Sequence, residues 1–525
     1  MRIAHILAAG AALAAASPAF AQPRIVALSD DDAAAYRAAF ASAEAGDLGS
    51  VRNRLSRVED DVLVGYALGV AHTRATRRGY SQAVAWLNRY GDLAIASDVY
   101  ARANRVRPRR ARRPEAPDPM PRRAFPGTPA PPPGDSVQAR SQINTIQERI
   151  SAADYDGARA SAQSALYGPR SGNAAWLMGL IEFRARNYTE AARHFDAAAT
   201  WTYHAPSQQA AAHYWAARSR LAAGDARNVT RHLEAAARAP QTFYGQLAET
   251  QLGRDSALNF TPPTLQPDQL RSFLDRRPAA RRAAALAQLG RLSDVEDELR
   301  RLHGQLSPNE DATFLALADA LQAPAAQLRA AEYGGPQLAA GLCPTTTFEP
   351  DGGFMLDRAL VYGIVRQESY YNPVAVSVSN ARGLMQLLPS TANDLDRSRG
   401  YRRNPSLLFD PAENMRLGQQ YVLWLIDQFH RDRDLGRIFA AYNGGPGWLS
   451  RWIQARGDID DPLYLLETLP RQESRDYAER VLSHMSICRG RYGQPRAEME
   501  RLASGRPALY EPLDARYAAR LAAQQ

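Results

Sequence analysis

An all-α chain in two parts, a helical-repeat superhelix (solenoid) followed by a smaller helical domain, is predicted by three features of this 525-residue sequence. Apolar residues recur at helical spacing through long alanine-rich stretches. A helix-pair motif repeats, RHFDAAA at 193–199 returning as RHLEAAA at 231–237, a spacing of 38 residues. Past Pro344 the alanine monotony gives way to polar runs punctuated by glycine, so a different domain begins there. A content of 45% hydrophobic and 23% charged residues is ordinary for a globular protein and excludes wholesale disorder or a polytopic membrane protein. At roughly 100–200 residues per domain, several domains are expected.

Residues 1–21 read as an export signal. Met1 and Arg2 give a short positive start, 6–16 is an apolar run too short to span a bilayer, and Ala19-Phe20-Ala21 is a small-x-small cleavage site that would leave Gln22 first in the mature chain. No later run is apolar for around 18 residues, so no stable membrane insertion is expected. Residues 22–104 form an N-terminal helical segment, with Val62, Leu63, Tyr66 and Val70 at helical spacing. Residues 105–135 form an Arg/Pro-rich linker. Ten prolines lie between Pro108 and Pro133, and because proline removes backbone donors and fixes φ, an extended spacer results.

This linker also explains the net charge of +9. Nine arginines between 102 and 134 stand against only Glu115 and Asp118, which leaves about +1 elsewhere once Arg2 is set aside with the leader. The basic excess is therefore local, and no nucleic-acid partner is expected. A solvated spacer is the simpler reading of these arginines, and contact with an acidic polymer or surface is the alternative. All 64 basic residues are arginine, which removes any lysine-nucleophile or Schiff-base mechanism.

Residues 136–343 carry the repeats. Phe195 and Leu233 are matching core positions, and Trp176 has its counterpart in Tyr214 at the same spacing. Units somewhat longer than the 34-residue tetratricopeptide period bury their apolar faces only by stacking, so one continuous superhelix is expected over 144–333. Trp176, Phe183, Trp215, Phe243 and Tyr244 are read as its core. Cys343 and Cys488 are too few for a disulfide framework and lack zinc spacing, and the nine histidines form no HExxH pattern, so no metal or cofactor is expected. The two cysteines stand at the beginning and near the end of the second domain; a disulfide and two separate buried thiols both remain open.

Residues 344–495 carry the chemistry, with 496–525 as a C-terminal tail. In FMLDRALVYGIVRQESYYNPVAVSVSNARGLMQLLPSTANDL, Leu356, Leu360, Ile364 and Gln367 or Glu368 keep helical spacing, so a helix runs into Glu368 and Asn372-Pro373 forces its exit. A carboxylate at a helix C-terminus meets the negative end of the dipole, and with partial burial its pKa rises, as a general acid at neutral pH requires. Gly383 permits close backbone approach, Gln386 offers an amide, and Pro389 opens a new helix. Later, AAYNGGPGW supplies Tyr442 and Asn443, and ETLPRQESRDY places Glu473 and Tyr477 four apart on one helix face. Asp394, Asp396, Asp410 and Glu413 read as capping or solvated residues.

The order ES, GLMQ, AYN-Gly and P-x-x-E-[ST]-R-x-Y resembles the soluble lytic transglycosylases, over roughly 345–490. FYGQLAETQLG at 243–253 and the repeats before it resemble that family's superhelical domain more loosely. The resemblance implies a goose-type, lysozyme-like α catalytic domain that cleaves the β-1,4 bond between N-acetylmuramic acid and N-acetylglucosamine in periplasmic peptidoglycan without water, leaving 1,6-anhydro ends. By position it implies Glu368 as the acid/base catalyst and Ser377 as the residue orienting the N-acetyl group or attacking hydroxyl. It implies Met385, Gln386 and Leu388 lining sugar subsites, Tyr442 and Asn443 over the reacting ring, Glu473 holding a saccharide or a neighbouring side chain that itself supports the site, and Tyr477 beside the catalytic carboxylate. Two departures stand out: AYNGG replaces AYN-Ala-Gly, and ESR replaces ETR. A peptidoglycan-binding scaffold without catalysis and a muramidase-type hydrolase are the alternatives, the first disfavoured by the intact Glu368, Gln386, Tyr442 and Tyr477.

Overall fold

The computed structural model describes residues 25–429, 433–457 and 459–514; the expected leader lies outside them. The described residues form 25 α-helices and no β-strand, only three isolated β-bridges, so the chain is all-α.

The N-terminal helices begin with a well-formed cap: Ser29 accepts from the backbone N–H of Asp32, and three aspartates in the first turn of Asp30–Glu44 complement the helix dipole. These short alanine-rich helices have too little apolar surface to close a core alone. They share one with the helices Pro278–Gln288, Leu292–His303 and Asp311–Ala320, which lie far along the chain. Gln288 Oε1 accepts from the backbone N–H of Ala27 and Leu28 at 3.0 and 2.9 Å, and Tyr66 donates to Asp294 at 3.2 Å. The N-terminal segment is thus half of a joint unit.

The Arg/Pro-rich linker has no regular structure, as its prolines dictate, but it is packed against the fold where a solvated spacer was expected. Arg123 makes a two-pronged ion pair with buried Asp311, Asp118 N–H donates to Gly91 O at 3.2 Å, and Phe125 sets its ring edge-on to Tyr333. Further along, Asp135 takes both prongs of Arg170 in the superhelix. The segment is a strap from the N-terminal unit across the second half of the superhelix to its first half.

The repeat motifs fall on Tyr188–Ala199 and Val229–Ala237, with Phe195 and Leu233 buried as matched core positions. The superhelix is not continuous. Between Phe243–Gln251 and Pro267–Arg276 the chain runs without helix through Pro262-Pro263, which supply no amide donors, and most of the second half belongs to a different core, with Leu328 and Ala331 packed into that of the first. The first half shares its core with the domain that follows Pro344. Gln246 donates to Ser483 at 2.7 Å, Trp452 Nε1 to Ser151 O at 3.0 Å, and Tyr244 to buried Glu467.

In that domain Arg358–Ser369 packs along the 20-residue helix Gln472–Arg491. A disulfide between Cys343 and Cys488 ties the start of the domain to this long helix. The expected tail is part of the domain as far as it is described. Arg489, fully buried, pairs with Asp357 and Glu498 and donates to Glu511 O, while Asp357 accepts from the N–H groups of Leu513 and Asp514. Burying a guanidinium requires that its donors be matched in this way. Among the described residues no helix is long and apolar enough to cross a membrane.

Candidate active site

Glu368 is the penultimate residue of Arg358–Ser369, where the sequence places it. The helix leaves earlier than Asn372-Pro373 requires: Tyr370 and Tyr371 both take left-handed backbone, φ 53° and 62°. That conformation is costly for bulky residues and persists only when surroundings impose it. They do here. Tyr370 OH donates to Glu332, on the preceding helix Pro324–Gly334, at 2.8 Å, and Tyr371 is buried.

The segment after the exit folds into a tight loop held by bridges between Val376 and Arg382 and between Arg382 and Leu387. Ser377 Oγ accepts from Ala381 N–H at 3.0 Å within it. Gly383 has φ 78°, and a Cβ there would meet Leu408 O at 2.2 Å, so both conformation and space demand glycine. The organising side chain is Asn414, fully buried and absent from the sequence-based expectations. It accepts from Met385 N–H at 2.8 Å and donates to Arg382 O and Leu408 O, each at 2.9 Å. The Gln386 amide donates to Ala375 O and Gly383 O, which aims its carbonyl end elsewhere.

A cleft of about 660 Å³ opens over this loop. Of the residues predicted for the site, Glu368, Ser377, Gln386, Leu388, Tyr442, Asn443, Glu473 and Tyr477 line it. Met385 does not, which corrects the expectation that it contacts sugar: its side chain is fully buried and its sulfur lies against Gly418. Its contribution is its carbonyl oxygen, which accepts from Tyr442 OH at 2.8 Å and fixes that ring. Tyr442 stacks on Tyr477 with centroids 6.1 Å apart and planes 8° apart, and Tyr421 extends the aromatic wall. Tyr421, Thr391, Asp476 and Arg480 were not anticipated. The last two continue the stripe of Glu473 and Tyr477 on Gln472–Arg491 and were legible from that periodicity.

Tyr477 OH donates to Glu368 Oε1 at 2.7 Å. The Glu368 pKa is pushed up to about 7, chiefly by burial, with the negative field of Glu473 adding and the Tyr477 hydrogen bond opposing. The protonated form of Glu368 therefore persists toward neutral pH, where an ordinary carboxyl is fully ionised. Of the other carboxylates of the region, Asp410 caps Pro411–Gln428 and exposed Asp394 faces Arg402, as expected, whereas Asp396 and buried Glu413 hold Arg416 in place of capping or solvent. Among the described residues no group of three or more His, Cys, Asp or Glu side chains is placed to hold a metal ion.

The two departures from the family pattern touch each other. A Cβ on Gly444 would stand 2.7 Å from Ser474 Oγ and 2.3 Å from Trp448 Nε1, and Ser474 Oγ donates to Asn443 Oδ1 at 2.7 Å. Losing a methyl at 444 lets Trp448 and the serine close over Asn443, so the glycine permits tight packing where looseness was the sequence-level concern.

Residues 347–475 match the family model described as the transglycosylase SLT domain. The soluble lytic murein transglycosylase of Salmonella typhimurium is 34% identical over 148 residues, 27% of this chain and 22% of that protein. That of Escherichia coli is 33% identical over 135 residues, 25% of this chain and 20% of that protein. By these alignments the chain spans about a fifth of the length of the curated relatives it matches. In fold the likeness is broader. The lytic transglycosylase Slt of Pseudomonas aeruginosa has a TM-score of 0.54 at 20% identity, covering 88% of this chain and 73% of that one. The 70 kDa soluble lytic transglycosylase of E. coli has a TM-score of 0.50 at 18% identity, covering 89% and 74%. The cleft is built on the residues that carry the match: 347–475 are similar to the transglycosylase SLT domain, set in an all-α chain whose fold is that of the soluble lytic transglycosylases.

Proposed function

We propose that this chain is a periplasmic lytic transglycosylase that cleaves the β-1,4 bond between N-acetylmuramic acid and N-acetylglucosamine in peptidoglycan glycan strands, leaving 1,6-anhydro-N-acetylmuramic acid ends. The observation that carries the reading is Glu368, a carboxyl raised to about 7 on the wall of an aromatic-lined cleft and held by Tyr477. A protonated carboxyl at neutral pH is what a glycosidic leaving group needs.

Glu368 donates its proton to the bridging oxygen as the C1–O bond breaks. The acetamido oxygen of the muramic acid stabilises the electron-poor C1 from the opposite face. The Glu368 carboxylate then accepts the proton of the 6-hydroxyl while O6 attacks C1, which closes the anhydro ring and regenerates the acid. One carboxyl serves both steps, and no water enters. Ser377, on the cleft loop, is suited to orient the acetamido group or the 6-hydroxyl; Tyr442, Asn443, Gln386 and Leu388 to hold the ring; and Glu473 to bind a neighbouring hydroxyl.

Hydrolysis is the second reading, because Glu473 and Asp476 also line the cleft and a second carboxylate could serve a retaining or inverting route. Mass spectrometry of muropeptides released by the chain and by Glu368→Gln separates them. Anhydro products from the parent alone support the proposal; reducing-end products assign hydrolysis; retained binding without release by either protein overturns both.

A further inference from the structure

A second cavity, of about 430 Å³, lies where Gln472–Arg491 meets the first half of the superhelix. Of the motifs that carry the family resemblance, it is reached by those on this helix and by Phe243 and Tyr244 of the 243–253 segment. Asp476 and Arg480 line both this cavity and the cleft. On the helix, Glu473, Asp476, Tyr477 and Arg480 form the stripe toward the cleft, and Gln472, Arg475, Asp476, Glu479 and Ser483 form the adjoining stripe toward the cavity. Asp476 and Arg480 thus stand between the cleft and the cavity and face both.

The superhelix side of the wall holds two buried acceptors with no donor. His204 is only 4% exposed, and its Nδ1 lies 3.0 Å from Ala198 O. A carbonyl can only accept, so Nδ1 carries the hydrogen. Burial lowers the ring's pKa to about 4, which leaves the neutral tautomer with a lone pair on Nε2. That Nε2 has no partner, and neither does Asn173 Oδ1. Buried acceptors left unpaired are costly and call for a donor. Trp176, read from sequence as core, is partly exposed and lines the same wall.

We infer that this cavity is a second saccharide-binding site, taking a sugar unit of the same β-1,4 glycan whose neighbouring units lie in the cleft. Sugar hydroxyls and the acetamido N–H supply the donors that His204 Nε2 and Asn173 Oδ1 lack, and Trp176 offers an apolar ring to a sugar's C–H face. The volume is within the range of small-ligand pockets and suits one or two sugar rings. The inference rests on the glycan-cleaving reading of the cleft, which it extends into the superhelix.

The test uses the full chain carrying Glu368→Gln, titrated calorimetrically with β-1,4-linked N-acetylglucosamine oligomers of two, four, six and eight units. Affinity is expected to keep rising with oligomer length. His204→Phe, which keeps the ring but removes the acceptor, is expected to weaken the longest oligomer about ten-fold and leave the dimer unchanged. Ser207→Trp, at an exposed rim position, blocks the mouth without disturbing the core and is expected to do the same. A length dependence that stops at four units, or equal binding of the longest oligomer by Ser207→Trp and its parent, would show a water-filled structural cavity and overturn the inference. Failure of the catalytic reading would appear separately, as absence of product from the chain with Glu368 intact.

Discussion

At the scale of residues, Glu368 sets the pH behaviour. Its folded pKa of about 7 stands above the ordinary 4.5, so the acid form that protonates the leaving group persists to neutrality and is lost as pH rises through 7. Glu368→Gln should cut product release by about 10²- to 10⁴-fold, measured by muropeptide release. Tyr477→Phe removes the hydrogen bond that favours the carboxylate, so the alkaline limb of the activity profile should move to higher pH, whereas a merely structural tyrosine would lower activity without moving it. The same shift has a stability sign. A group whose folded pKa is raised contributes stability that is complete below its unfolded pKa and lost as pH rises through the folded one. Relative to the wild type, the Glu368→Gln protein should therefore gain thermal stability between pH 4.5 and about 7 and show no further gain above it, read by scanning calorimetry across pH.

At the scale of elements, Arg358–Ser369, which carries Glu368, is held along Gln472–Arg491. Cys343–Cys488 joins the start of the domain to Gln472–Arg491 across 145 residues of sequence. Constraint of so long a loop in the unfolded chain is worth about 2–5 kcal/mol. A Cys343→Ser/Cys488→Ser chain should accordingly melt several degrees lower while keeping the Glu368–Tyr477 contact and its pH profile. The packing around Gly444 gives a sharper test. Gly444→Ala forces a methyl against Trp448 and Ser474 Oγ, so it should lower both thermal stability and glycan affinity, with Ser474→Ala in the same chain restoring part of the loss because one of the two clashes is removed.

At the scale of the whole molecule, the chain closes on itself. The N-terminal helices complete the core of the second half of the superhelix, the strap crosses from one to the other, and the first half completes the core of the catalytic domain. No section is a free appendage among the described residues. Arg123 and Asp311 are the central tie, and removing the guanidinium leaves a buried carboxylate at a cost of about 3 kcal/mol. Arg123→Ala should thus open the strap: trypsin, which still finds eight arginines between 102 and 134, all but Arg107 and Arg113 without a following proline, should cleave there faster than in the wild type, measured by limited proteolysis.

What the sequence by itself determined is what is local or periodic. The all-α class, the paired repeats, the helix running into Glu368, the proline-opened helix at 389 and the grouping of Glu473 with Tyr477 all follow from apolar spacing, glycine and proline, which act within a few residues. Eight of the nine expected site residues line the cleft because they sit on such elements or on loops whose motif order carries the family resemblance. Only the tertiary structure decided the rest, because each case depends on a partner remote in sequence. Met385 turns inward because Gly418 leaves room for its sulfur; Asn414 holds a loop some 30 residues before it; Glu332 from the superhelix imposes the left-handed exit after Ser369. The strap is ordered by a carboxylate 188 positions away, and the unpaired His204 and Asn173 become a wall only when the superhelix meets Gln472–Arg491. Long-range pairing of buried polar groups leaves no periodic trace in the chain, and in this protein such pairings shape both the cleft and the cavity beside it.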